Sequence, residues 1–107
     1  MGYEYDAIAD DAGDYLRRRE SLLREAAALP SFRRRAGPHE IWLSDPAGPA
    51  DGWDEVQLLF GQARVRLTCM SPLSPAVRAD LRELLRLIGG AGQARYVDDD
   101  GEPARFW

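Results

Sequence analysis

Between Trp53 and Met70 the chain holds two alternating runs on either side of Gly61-Gln62. Val56, Leu58 and Phe60 share one side of the first run, and Val65, Leu67 and Cys69 share one side of the second. Alternation with period two fits strands with one buried face. If Gly61 opens a two-residue type II′ turn, the spacing pairs Phe60 with Ala63, Leu58 with Val65, Val56 with Leu67 and Asp54 with Cys69. A one-residue slip would turn the whole apolar set outward. The hairpin therefore requires an apolar layer against one of its faces.

Two amphipathic helices supply that layer. From Tyr5 to Leu29 apolar residues stand at 5, 8, 12, 15, 16, 22, 23, 26 and 29, the spacing of one helical stripe, and Pro30 ends it. Asp14 with Arg18 and Glu20 with Arg24 form i,i+4 pairs of the favourable order, and Gly13 weakens the segment enough to move its effective start to Asp14. The second helix opens on Ser74-Pro75, an N-cap followed by a first-turn proline. It continues through Val77, Leu81, Leu84, Leu85 and Ile88 and stops at Gly89-Gly90. His39 to Asp45 reads as a further strand, followed by a loop through Gly52. Arg95-Tyr96-Val97 and Ala104 to Trp107 read as a closing hairpin around residues 98–103, with Pro103 marking an edge.

The expected fold is a single α+β domain over residues 1–107, a two-layer sandwich of an antiparallel β-meander with two helices in the order α-β-β-β-α-β-β. Alternation puts Trp42, Trp53, Glu55, Gln57, Leu59, Arg64, Arg66, Thr68 and Met70 on the second sheet face. Either a helix covers that face and these residues are core, or it is an interface. Gln57, Arg64 and Arg66 would be awkward under a helix without partners, which favours the interface. Arg19 projects into the middle of the first helix's stripe, where a charge must be paired or reach water. Arg33, Arg34 and Arg35 read as a solvated run in the loop after that helix.

Chemistry at neutral pH has little to work with here. There is one histidine and one cysteine, and every one of the 14 basic residues is arginine, so no lysine is available as nucleophile or base. His39 has no nucleophile that the sequence can place beside it. Cys69 lies on the inward hairpin face as a small hydrophobe. Asp98-Asp99-Asp100-Gly101-Glu102 lacks the ligand spacing of a calcium loop and reads as a turn. No catalytic residue, cofactor or metal is expected, and the reading is of a protein that is not an enzyme.

The net charge of −4 argues against nucleic-acid binding. No apolar run is long enough for a membrane span, and the acidic N-terminus lacks a signal-peptide core, so a cytoplasmic location is expected. The order α-β-β-β-α is similar to that of double-stranded-RNA-binding domains, but Ser74-Pro75-Ala76-Val77-Arg78-Ala79-Asp80 stands where those carry lysines. The longer order, helix, three strands, helix, two strands, resembles the small acidic chaperones of bacterial type III secretion, which implies a homodimer binding an effector. In size, acidity and poverty of catalytic groups the chain resembles compact immunity proteins, which implies neutralisation of a toxin by occlusion. Trp42, Trp53, Leu59, Arg64, Arg66 and Met70 are then the expected anchors. Asp51, Asp54, Asp98, Asp99 and Asp100 are the acids that would meet a partner protein with a basic surface.

Overall fold

A computed structural model describes residues 3–48, 54–70 and 72–104. The elements are β1 (Tyr3–Ala9), α1 (Ala12–Ala27), β2 (Phe32–Gly37), β3 (Glu40–Leu43), β4 (Val56–Phe60), β5 (Val65–Cys69), α2 (Pro75–Gly89) and β6 (Ala94–Val97). The six strands form one sheet in the order β2-β3-β4-β5-β1-β6, and every neighbouring pair is antiparallel. Both helices pack on the sheet and on each other, giving the two-layer α+β sandwich. Between the layers lie Ile41, Leu43, Val56, Leu58, Phe60, Val65 and Leu67 from the sheet, and Tyr15, Leu22, Leu23, Leu81, Leu84 and Ile88 from the helices.

Two strands depart from the expected order. The segment read as the start of the first helix is β1, with Ala7 and Ala9 buried against the helical layer and Asp6 turned to the other side. Helix α1 begins only after Asp11, whose carboxylate accepts the Asp14 N–H at 3.0 Å. The arginine run read as a loop is β2, an edge strand with two register shifts against β3. Charges and bulges of this kind keep an edge from pairing with other chains. At the opposite edge, residues 102–104 fold back on β6 through Ala104 N–H to Tyr96 O and Asp98 N–H to Glu102 O, each 2.9 Å. Of the closing strand expected at 104–107, the described residues show a single bridge between Val97 and Pro103; residues 105–107 lie outside them.

The central hairpin forms with its apolar faces as expected but in a register two residues away: Phe60 pairs with Val65, Leu58 with Leu67 and Val56 with Cys69. Gly61 N–H bonds Arg64 O at 2.9 Å, so the tip is Gln62-Ala63. Gly61 does not have the positive φ of a type II′ turn. A shift of two preserves parity, which is why the same residues face inward. The Tyr15 hydroxyl donates to Gly61 O at 2.8 Å and ties α1 to this turn, while burial pushes its pKa up to about 12.

Arg18, rather than Arg19, is the α1 guanidinium that works across the helix pair. It bonds Asp14 at 2.8 Å and donates to Leu87 O and Ile88 O at 3.0 and 2.9 Å, placing its charge on the negative end of α2. Arg19 is half-buried and Leu16 is exposed, so the buried stripe runs through Tyr15, Leu22, Leu23 and Ala26. The second expected pair of α1 is replaced: Arg24 bonds Ser21, and Glu20 lies 3.8 Å from His39. Gly90 ends α2 at φ +62°, and a Cβ there would lie 2.7 Å from the Arg18 guanidinium. Gly90→Ala should therefore destabilise the fold by about 2 kcal/mol, through backbone strain and displacement of that cap. Urea unfolding measures it, and a change within about 0.5 kcal/mol would show that the guanidinium moves aside freely.

Candidate functional site

Among the described residues both helices lie on one side of the sheet, and the other face is exposed at Leu59 and Met70 but buried at its β1 and β6 end, where Asp6 is 6% and Val97 4% exposed. The registers lay its side chains out in two rows across the strands. One row runs Arg34, Trp42, Gln57, Thr68, Glu4; the other runs Glu40, Leu59, Arg66, Asp6, Val97. Met70 flanks the rows beyond Cys69. Leu59 is 49% and Met70 39% exposed, although both adjoin the middle of the sheet.

The charges of this face are organised internally. Asp6, only 6% exposed, receives Arg66 Nε and Nη2 at 3.1 Å each and Arg64 Nη1 at 3.3 Å, while Glu4 takes the remaining terminal nitrogen of Arg66. These carboxylates hold the Arg66 pKa up, Asp6 most of all. The Trp42 indole N–H donates to Glu40, and the Arg34 guanidinium lies over its ring at 4.1 Å from the centre, a cation–π contact.

Trp42, Leu59, Arg64, Arg66 and Met70 thus share one surface. Trp53 and Asp51 lie outside the described residues. Asp54 was expected as an acid open to a basic partner. It is instead held by Arg33 at 3.5 Å and Arg34 at 3.3 Å, with a side chain 12% exposed. Asp98 shapes its own turn by accepting the N–H groups of Asp100 and Glu102 at 2.9 and 3.0 Å. Asp99 and Asp100 are exposed at the β6 end of the sheet, away from the central apolar residues. The residues that sequence reasoning missed are Glu4, Asp6 and Arg34, which set the charge of the face from β1 and β2.

Burial pushes the Cys69 thiol up to about 11, so it stays protonated at neutral pH. Glu55, placed by alternation on the second face, is buried and accepts the N–H groups of Asp45 and Ser74 at 2.7 and 2.6 Å, a structural role. Among the described residues no group of three or more His, Cys, Asp or Glu is arranged to hold a metal ion, and no helix is long and apolar enough to cross a membrane. No protein-family model, curated protein or solved structure matches the chain.

Proposed function

We propose that this chain is a non-catalytic, cytoplasmic protein-binding module that docks its partner on the open sheet face. In its specific form the partner is a bacterial toxin, neutralised by occlusion. The observation that carries the reading is the placement of half-buried Trp42 with exposed Leu59 and Met70 on the sheet face away from the helices, edged by paired charges. Apolar and aromatic groups inside a polar rim are the anatomy of interfaces and their hot spots. Of the acids expected to meet a basic partner, Asp54 is held by two arginines and Asp98 shapes its own turn, while Asp99 and Asp100 are exposed.

The test starts from a partner recovered from the source cell with the chain as bait and then purified. Trp42→Ala and Leu59→Arg should each weaken the calorimetric affinity by about thirtyfold or more, the loss of a buried anchor of about 2 kcal/mol, while circular dichroism stays unchanged. Stoichiometric addition of the chain should abolish the partner's toxicity. Unchanged affinity in both folded variants would remove the sheet face as the site, and an active partner in the complex would remove the occlusion reading.

A further inference from the structure

We infer that the open sheet face binds a second copy of this chain about a two-fold axis that runs parallel to the strands and over β4. The argument is charge complementarity within the two rows. A rotation about that axis sets Leu59 against the second copy's Leu59. One strand away it brings Glu40 (β3) opposite Arg66 (β5), and two strands away Arg34 (β2) opposite Glu4 (β1). Trp42 falls opposite Thr68. Each of these charges meets its opposite, and the apolar centre meets itself.

Neighbouring arrangements do not share this property. Moving the axis one strand, onto β5, stacks Arg66 on Arg66. An axis along the first row stacks Arg34 on Arg34 and Glu4 on Glu4. Like charges set against each other are disfavoured strongly enough to exclude a register. An axis parallel to the strands also gives the aligned packing that twisted sheets adopt face to face.

The area sets the strength. Five overlapping strands at about 4.8 Å spacing and about 17 Å length offer roughly 400 Å² of sheet per copy, below the roughly 800 Å² per partner of a standard interface. The dimer is therefore a weak one, at the low end of interface sizes. It uses the face proposed for the partner and rests on reading that face as an interface, so dimer and partner complex exclude each other. Self-association keeps Leu59 and Trp42 covered until a tighter partner displaces the second copy.

Sedimentation of the purified full chain from about 5 to 500 µM in low salt tests this without any partner. The weight-average mass should rise from 12.0 kDa towards twice that value. Arg34→Glu and Glu4→Arg should each raise Kd by about tenfold or more, because each sets like charges together twice in the dimer. Mixed in equal amounts, the two variants should dimerise again to within about threefold of the unmodified chain, since both cross-pairs are then opposite in charge. Circular dichroism confirms that each variant is folded. A mass fixed at 12.0 kDa across the range overturns the inference, as do single variants that dimerise undiminished and a mixture no tighter than its components. None of these three results touches the partner reading, which is tested separately by affinity for the purified partner.

Discussion

Glu55→Ala should lower the unfolding free energy by about 3 kcal/mol, because two backbone N–H groups lose a charged acceptor at once. Glu55 is 8% exposed and sits where three segments meet: its carboxylate accepts from Asp45, just past β3, and from Ser74, the N-cap of α2, while its backbone pairs with Leu43 and Met70. Alanine removes both acceptor oxygens and supplies nothing in their place. Buried donors left without acceptors forfeit about 1 to 3 kcal/mol each. For a domain of this size the loss corresponds to a fall in Tm of about 12 to 24 °C. Glu55→Gln keeps one acceptor oxygen and turns an NH2 group on the other donor, so it should lose about half as much or somewhat more. Urea unfolding with an unchanged m-value is the measurement. A loss below about 1 kcal/mol for Glu55→Ala would mean that water satisfies both donors, and that the carboxylate does not join the layers.

The same residue shows where sequence reasoning stops. Alternation assigns Glu55 a side of the sheet, yet its partners lie 10 and 19 residues away, and nothing in the local pattern announces them. Helix α2 is legible in full, because Ser74, Pro75 and Gly90 are local signals that act within one turn. The inward and outward parity of β3, β4 and β5 is legible too, since it follows from the side-chain period alone. Strand β1 is not. Its inward residues between helix and sheet are Ala7 and Ala9, weak hydrophobic signals, and its outward positions include Ile8, so the expected contrast is inverted. Strand β2 hides because an edge must be charged to stay unpaired, and Arg33, Arg34 and Arg35 then look like solvent-exposed loop. These two strands supply Glu4, Asp6 and Arg34. The shared face of Trp42, Leu59, Arg66 and Met70 was therefore readable, and the carboxylates that pair its arginines were not.

Leu58 and Leu59 are adjacent in the chain and should behave as opposites. Leu58 is fully buried opposite Leu67 beneath the helices; Leu58→Ala should lose about 3 kcal/mol, the transfer term plus the cavity left in a close-packed layer. Leu59 projects from the other side of the same strand, so Leu59→Ala should change stability by no more than about 0.5 kcal/mol. In binding the order reverses. Leu58→Ala, where it remains folded, should leave sedimentation and partner affinity intact, and Leu59→Ala should weaken both. Measuring unfolding and association on the two variants separates a core role from a surface role at neighbouring positions of one strand, which no single substitution can do. Equal destabilisation by both would mean that β4 is covered on its two faces, and the open sheet would then offer no surface to a second copy or to any partner.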